Sequence, residues 1–157
     1  MTVESRPRPG AMARAYVSLG ANLGERAAHL GRARMGLAAR EGIRLAACSS
    51  VVETAPVDVV EQPHFLNQVL ALETTLEPRA LLDACLAVER ELGRDRAAGP
   101  RRGPRTIDVD VLLFDGSALD EPGLTIPHAR LAQRPFFLAL LREIGAPAGW
   151  IPVAEAG

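Results

Sequence analysis

Hydrophobic and polar residues alternate along two stretches of the chain, at 65–75 and within 103–114, and this period of two is typical of β-strands. A short apolar stretch and a stretch of mixed pattern are also predicted to be strands. The predicted strands lie at 15–20, at 43–52, at 65–75 and within 103–114. In the last of these, GPRTIDVDVLLF, one face is predicted to carry Ile107, Val109, Val111 and Leu113. The other face is predicted to begin with two carboxylates and to continue with apolar residues, in the order Asp108, Asp110, Leu112 and Phe114.

Apolar residues recur at helical spacing in three further stretches. The first predicted helix runs from about 25 to 40. The second opens at Pro78 and ends near Gly93, since Pro is favoured in the first helical turn and Gly just past the end. The third predicted helix covers 135–144.

The segments between these elements contain Pro, Gly and acidic residues, which favour loops and turns. A long loop is predicted at 53–64, a hairpin turn at Asp115-Gly116, and a loop or short return strand at 119–127. The resulting order, β-α-β-β-α-β, is the split-βαβ plan. The predicted fold class is therefore α+β, with a ferredoxin-like βαββαβ core, helices packed on a mainly antiparallel sheet, and a C-terminal extension.

Length and composition are those of one ordinary globular domain. The chain has 157 residues, of which 48% are hydrophobic and 24% charged, with a net charge of -1. We assign a single domain to 14–157 and a mobile N-terminal tail to 1–13.

The chain has no apolar run of the ~18 residues that a membrane helix needs and no apolar signal segment at its start, so a cytoplasmic location is expected.

All 18 lysine or arginine positions are arginine. The absence of lysine excludes a Walker A lysine and a Schiff-base lysine, whereas arginine suits bidentate phosphate binding. The small net charge argues against a global attraction to nucleic acid or to a membrane surface. Cys48 and Cys85 lie in apolar contexts without metal-ligand spacing and are interpreted as buried free thiols.

Two carboxylates, Asp108 and Asp110, share one face of a predicted strand about 7 Å apart. Like charges this close repel each other, and a divalent cation is the simplest reason for them to coexist. A Gly- and Pro-containing loop before them carries Arg94, Arg96, Arg101, Arg102 and Arg105. The combination points to Mg²⁺ and a polyphosphate. The alternative is a solvated strand face beside a solvated loop.

A second group of residues suits a flat heterocyclic ligand. Phe65 and Asn67 share a strand face, where a ring and an amide would stack on the ligand and hydrogen-bond it; core packing of Phe65 is the alternative. Gly20 follows the first strand, which a plain turn also explains. His128 would donate to phosphates or lie at the surface. Phe136 or its neighbour would stack on a ligand while the other joins the core.

Taken together, these segments resemble the 6-hydroxymethyl-7,8-dihydropterin pyrophosphokinase family of folate biosynthesis. The resemblance covers roughly 15–151 and is carried by YVSLGANLG, SSVVETAPV, QPHFLNQVLALET, LGRDR, GPRTIDVDVLLF, LTIPH and RPFF. Of these, GPRTIDVD is the most specific. The resemblance implies Mg²⁺-dependent transfer of pyrophosphate from ATP to the hydroxymethyl group of the reduced pterin, giving AMP and the pterin pyrophosphate.

The resemblance also implies roles for individual residues. Two Mg²⁺ ions would be held around the ATP triphosphate by Asp108 and Asp110. The catalytic set would be Arg94, Arg96, Arg105, Asp108 and Asp110. The pterin pocket, in which two phenylalanine rings sandwich the ligand, would comprise Gly20, Thr54, Pro56, Phe65, Asn67 and Phe136. The ATP side would comprise Glu89, Arg94, Arg96, Arg105, Ile107, His128 and Arg134.

Three positions depart from the family pattern. Arg102 stands where a Trp commonly precedes GPRT, Ala129 stands where a Tyr is often found, and Leu86 stands where a polar helix residue can reach the site. A planar guanidinium stack is the way in which Arg102 would replace the Trp.

Two other functions stay open at the level of sequence. A two-metal nucleotide phosphohydrolase would use the same aspartates with an activated water. A ferredoxin-like RNA-binding module is a second alternative, against which the aromatic content of 4% and the net charge of -1 argue. The expected partners are ATP and the pterin, with no nucleic acid and no membrane, and the chain is expected to be a monomer.

Overall fold

The computed structural model describes residues 12–55, 63–93 and 107–152. Its centre is a five-stranded sheet made of β1 (Ala13–Ala21), β2 (Ile43–Cys48), β3 (Val52–Thr54), β4 (Phe65–Thr74) and β5 (Asp108–Phe114). The α-helices in the described ranges are α1 (Arg26–Ala38), α2 (Pro78–Glu91) and α3 (Pro135–Glu143). A separate hairpin is formed by β6 (Leu119–Glu121) and β7 (Leu124–Ile126).

The strands lie in the order β2-β4-β1-β5, and β3 also pairs with β4. Each of these pairs is antiparallel. Helix α1 joins β1 to β2, and β4 lies between those two strands; α2 follows β4 and precedes β5, and β1 lies between those two. This is the split-βαβ arrangement, so the predicted α+β, ferredoxin-like class is confirmed.

Helices cover both faces of the sheet. On the first face, α1 and α2 pack against a core that includes Val17, Leu19, Leu70 and Leu72. On the second face, α3 packs against a core that includes Tyr16, Val69, Leu112 and Leu141. Because successive strand residues point to opposite faces, a sheet buried on both sides needs nearly continuous apolar strands, as β1 and β4 have.

The ends of α2 follow the sequence prediction. Pro78 is its first residue, where the missing N–H costs no helical hydrogen bond. Gly93, with a φ of 94°, stands just past its end, in a conformation that a side chain would disfavour. The residues predicted at helical spacing, Leu81, Cys85 and Val88, are buried in the first core.

The single strand predicted at 43–52 is wrong, because the structure has two strands there, β2 and β3. The interruption falls at Ser49. Its backbone N–H donates to the Val69 carbonyl at 2.8 Å, but its side-chain Oγ accepts the Val69 N–H at 2.8 Å. The hydroxyl therefore takes the place of a backbone carbonyl, which local Ser side chains often do outside regular elements. The loop predicted at 53–64 is also wrong at its start, because Glu53 and Thr54 belong to β3.

The face assignment at the end of β5 also needs correction. Val111 pairs with Val17 and Leu113 with Tyr16, which leaves Leu112 as an extra residue in a bulge. The bulge reverses the alternation, so Leu113 lies in the second core, with Leu112, and Phe114 lies in the first core. The prediction holds for Ile107, Val109 and Val111, which precede the bulge.

Asp115-Gly116 does form a turn, but the strand after it does not return along β5. Asp115 has a φ of 49°, and its Oδ1 accepts the Arg14 backbone N–H at 2.8 Å, which ties the turn to β1. The following strand, β6, pairs with β7 instead. Of the alternatives for 119–127, short strands are therefore correct.

Three smaller findings concern the ends and the surface. Strand β1 begins at Ala13, the last residue of the predicted tail, and 1–11 lie outside the described residues. Cys85 is a buried free thiol as predicted, but Cys48 is exposed, because it ends a strand beside the interruption at Ser49. Among the described helices, none has the length and apolar character required to cross a bilayer.

Candidate active site

Three neighbouring strands bring predicted site residues into two rows across one face of the sheet. In the first row, Gly20 of β1 lies opposite Asn67 of β4 and Asp108 of β5. In the second row, Ser18 lies opposite Val69 and Asp110. Directly opposed residues of antiparallel strands share a face. Since neighbouring strands lie ~4.8 Å apart, the backbones of Asn67 and Asp108 are about 10 Å apart, with Gly20 between them.

Asp108 and Asp110 are both half-buried. They precede the bulge at Leu112 and face the same side of the sheet as that residue, which is the side of α3. In the described ranges, no group of three or more His, Cys, Asp or Glu side chains gathers to hold a metal. Mg²⁺ commonly uses one or two carboxylates and completes its shell with water and substrate phosphates. The pair therefore fits a cation that binds together with a polyphosphate.

His128 is held beside this carboxylate pair by backbone contacts. Its N–H donates to the Leu112 carbonyl at the bulge (2.9 Å), and its Nδ1 accepts the Arg130 N–H (3.2 Å). Burial lowers the pKa of His128 below 6.5, and the Arg134 charge lowers it further, while the Asp108 carboxylate opposes both. The imidazole is accordingly neutral at pH 7, and with Nδ1 accepting, its Nε2 carries the proton and can donate.

Arg134 and Phe136 lie at the start of α3. Arg134 is the residue that precedes the helix, and its charge acts on His128. Phe136 is half-buried, and its ring lies against that of Phe137 with centroids 4.4 Å apart at 49°. Phe137 packs against the second core, as one of the two was predicted to do. A sandwich of the pterin between Phe136 and Phe65 stays a prediction.

The amide of Asn67 is buried and oriented by a threonine. Its Nδ2 donates to Thr54 Oγ1 at 2.6 Å, and the side chain is 5% exposed. Thr54 is brought there because β3 pairs with β4, which places Thr54 opposite Phe65. Three predicted pocket residues thus lie together on one sheet face, with the Phe65 ring half-buried beside the amide.

Gly20 makes room for this group. A Cβ at position 20 would lie 3.2 Å from Asn67 Oδ1 and 3.7 Å from Phe65 Cδ1. The first distance is shorter than ordinary van der Waals contact, so any side chain would press on the amide. The glycine is therefore required by close packing against the pocket, a reason beyond the plain turn considered from sequence.

Two residues predicted on the ATP side lie at the opposite face of β5. Glu89 of α2 is 1% exposed, and its carboxylate accepts the Val109 backbone N–H at 2.7 Å. Ile107 is completely buried in the first core. The side chain of Ile107 therefore cannot reach a nucleotide on the aspartate face, and only its backbone is available. Glu89 fixes the strand segment between the two aspartates.

Several predicted residues lie outside the described ranges: Pro56, Arg94, Arg96, Arg102 and Arg105. Conversely, the structure adds Ser18, which is 3% exposed and shares a row with Asp110. The signal in the sequence was the alternation of β1, because Ser18 lies two residues before Gly20 and so on the same face.

These features define a class of protein before any relative is considered. The fold is an α+β, ferredoxin-like domain, and one face of its sheet carries a carboxylate pair with a neutral histidine and an arginine near it. A buried amide lies in the same row as Asp108, with a half-buried aromatic ring beside that amide. Oxygen ligands for a cation next to groups that recognise a flat ring are the requirements of phosphate transfer to a heterocyclic acceptor.

Comparison with known proteins supplies the family. Residues 16–146 match the model of the family described as 7,8-dihydro-6-hydroxymethylpterin-pyrophosphokinase. The 2-amino-4-hydroxy-6-hydroxymethyldihydropteridine pyrophosphokinase of Methylorubrum extorquens is 44% identical over 133 residues, which are 85% of this chain and 83% of that protein. The enzyme of the same name from Bacillus subtilis is 40% identical over 130 residues, covering 83% of this chain and 77% of that one. The chain belongs to this family and is an enzyme of pyrophosphoryl transfer in folate synthesis.

Solved structures support the fold. The crystal structure of Plasmodium falciparum HPPK-DHPS with pterin and p-hydroxybenzoate matches 89% of this chain with a TM-score of 0.65 and 14% identity. The present chain spans 39% of that longer chain. At this identity the likeness concerns the fold alone.

Proposed function

We propose that the enzyme transfers the β,γ-pyrophosphoryl group of ATP to the hydroxymethyl oxygen of 6-hydroxymethyl-7,8-dihydropterin, giving AMP and the pterin pyrophosphate. The observation that carries this proposal is the row Asn67–Gly20–Asp108, together with family membership. It sets a ring-recognising amide about 10 Å from a carboxylate on the same sheet face, a separation that accommodates a bicyclic ligand.

The acceptor would bind through Thr54, Phe65 and Asn67. Because the Nδ2 of Asn67 already donates to Thr54, the amide is oriented before ligand binding and pays little entropy on recognition. Phe65 would stack on the ring. Phe136 would close the opposite face of the ring, and Pro56 would complete the pocket, as the family resemblance implies.

The donor would bind on the aspartate side. Two Mg²⁺ ions would be held by Asp108 and Asp110, where they would neutralise phosphate charge and lower the barrier to attack at phosphorus. Neutral His128 would donate from Nε2 to a phosphate oxygen, and Arg134 would add positive charge beside it. Arg94, Arg96 and Arg105 are proposed to act on the same phosphates. We infer that Glu89 acts through Val109 rather than by contacting ATP.

The reaction balances without a further reagent. The hydroxymethyl oxygen forms a bond to the β-phosphorus, the bond from that phosphorus to the α,β-bridging oxygen breaks, and AMP leaves with the electron pair. The hydroxyl proton passes to solvent, since no side chain is assigned as a general base. The contribution of the chain is thus orientation and electrostatic stabilisation.

A product assay with a pterin-free arm tests the proposal. The enzyme is incubated with ATP and Mg²⁺, with and without the pterin, and nucleotides and pterins are separated chromatographically. We expect AMP and pterin pyrophosphate in equal amounts, only when the pterin is present, and no product after chelation of the metal. Nucleotide hydrolysis at the same rate without pterin would instead establish the phosphohydrolase alternative.

We further propose that the enzyme is a cytoplasmic monomer of one domain that does not bind nucleic acid. Support against nucleic-acid binding comes from the aromatic content of 4% and the net charge of -1, which do not suit a stacking platform for RNA. Salt-dependent RNA binding that survives loss of Asp108 would contradict this reading.

A further inference from the structure

The pterin pocket depends on a very short strand. Thr54, which orients the Asn67 amide, ends β3, and β3 has only three residues. It pairs with β4 alone, through Val52 with Asn67, Glu53 with Leu66 and Thr54 with Phe65. So short an edge strand has few ladder hydrogen bonds and is marginal by itself. Something else must keep Thr54 in register with Asn67.

Arg26, the first residue of α1, makes the contacts that could do so. Its Nη1 donates to Glu53 Oε2 at 2.9 Å and to the His64 carbonyl at 2.7 Å. Glu53 directly precedes Thr54, and His64 directly precedes Phe65. One guanidinium therefore joins the end of β3 to the start of β4 at the pair that borders the pocket.

The contact lies on the reverse side of the sheet from the pocket. Glu53 is paired with Leu66, which packs against the first core beneath α1, whereas Thr54, Phe65 and Asn67 face the other side. The side chains of Arg26 and Glu53 are 30% and 51% exposed. Arg26 therefore has no direct path to a pterin and can act only through the strand backbones.

We propose that Arg26 is a positioning residue for the pterin pocket, holding β3 against β4 so that Thr54 orients the Asn67 amide. The inference rests on the proposed function, because it assigns the pterin to that pocket. The bond to Arg26 lowers the pKa of Glu53 below 4.5, so the pair is ionised at neutral pH.

The chain contains a closely matched control. At the other end of α1, Arg40 donates to Glu91 Oε2 at 2.6 Å and to the Gly36 carbonyl at 3.0 Å. The side chains are 24% and 60% exposed, similar to those of the first pair. This pair joins the turn just after α1 to the end of α2, away from β3 and β4. Arg26→Met and Arg40→Met thus each remove one ion pair and one hydrogen bond to a backbone carbonyl, at different places.

The experiment measures dissociation constants of the full chain for the pterin, by fluorescence, and for Mg²⁺-ATP, by calorimetry. For Arg26→Met we expect pterin affinity to fall about threefold to tenfold, the range of an ion pair with an added charged hydrogen bond, with Mg²⁺-ATP affinity within about twofold. Glu53→Gln, which changes shape least, should reproduce the effect. Arg26→Lys should restore much of it, and Arg40→Met should leave both constants unchanged.

Each outcome decides the matter. Equal effects of Arg26→Met and Arg40→Met, or a parallel loss of pterin and nucleotide binding, would show a merely structural role and overturn the inference. If Arg26→Met does not fold, Glu53→Gln decides by the same criterion. If the wild-type chain binds no pterin, both the proposed function and this inference are overturned. Because that measurement involves no substitution, this outcome is distinguishable from failure of the inference alone.

Discussion

At the scale of the residue, Gly20 determines how closely the two halves of the site approach. It lies between Asn67 and Asp108 in adjacent strands, and it has no side chain to separate them. From the residues alone, the sequence shows this glycine as the end of an apolar strand or as part of a turn, and only the family resemblance assigns it to a pterin pocket. Its role depends on the neighbours that pairing gives it.

Replacing Gly20 by alanine should therefore damage pterin binding more than stability. The new Cβ would lie 3.2 Å from Asn67 Oδ1, so the amide must shift from its bond with Thr54. We expect a weakening of pterin affinity by about tenfold, equivalent to the loss of one good hydrogen bond. Fluorescence titration measures it, with Gly149→Ala as control, because no atom lies within 4 Å of a Cβ there. Unchanged affinity in Gly20→Ala would argue against this pocket.

Asp110→Ala should abolish transfer while leaving the fold intact. The carboxylate is half-buried at the edge of the site, and the proposed metal role supplies several kcal/mol to the transition state, so kcat should fall by about 10³-fold. The assay is AMP release, with folding checked by thermal denaturation. Asp120→Ala is the control, since Asp120 is an exposed carboxylate on β6 that contacts Thr125. Wild-type turnover in a folded Asp110→Ala protein would remove the metal role.

At the scale of the element, the bulge in β5 and the contact from α2 shape the aspartate strand. Asp108 and Asp110 precede the bulge and share a face with Leu112 by ordinary alternation, and the bulge then turns Leu113 to the second core and Phe114 to the first. Glu89 accepts the N–H of Val109, the residue between the aspartates. The contact from Glu89 fixes the backbone between the two carboxylates.

Helix α3 is tied to the connection between β2 and β3, and this tie should depend on pH. Glu143 accepts the Ser50 hydroxyl at 2.7 Å and the Ser50 N–H at 2.5 Å, and these bonds, the hydroxyl first, lower its pKa below 4.5. Because the folded pKa is the lower one, the stabilisation is present above pH 4.5 and is lost as pH falls through the folded value.

Glu143→Gln should therefore be less stable than wild type at pH 7, and the difference should shrink at pH values well below 4.5. Urea denaturation at the two pH values measures both free energies of unfolding. A difference that is the same at both would show that ionisation of Glu143 is not involved.

At the scale of the whole molecule, the sheet carries or borders the proposed site residues that the structure describes. Its two covered faces bring α1 and α2 to one side and α3, with Arg134 and Phe136, to the other. Within the described ranges, the proposed site therefore draws on residues from Gly20, near the start of the chain, to Phe136, near its end.

The start of the domain can be tested by truncation. A chain that begins at Met12 keeps Ala13 and Ala15, which are buried in β1, and should unfold at the same temperature as the full chain. A chain that begins at Tyr16 loses both buried residues and their pairing with β4. It should unfold at a temperature lower by several degrees, about 2–4 °C for each 1 kcal/mol lost in a domain of this size. Equal melting temperatures for the two truncated chains would contradict this.

The sequence alone determined most of the helices and strands, the fold class and the family-like motifs, because hydrophobic periodicity and turn residues are local signals. It also identified Asp108 and Asp110, whose spacing is a property of one strand. Tertiary structure decided what those residues meet: Gly20 between Asn67 and Asp108, Glu89 on Val109, and Arg26 on Glu53. These partners are distant in sequence. A bulge, as at Leu112, or a hydroxyl that replaces a backbone carbonyl, as at Ser49, changes which residues of neighbouring strands lie opposite each other. Local sequence patterns do not show which strands pair or in which register. That pairing brings the carboxylate pair and the ring-binding residues of the proposed site together.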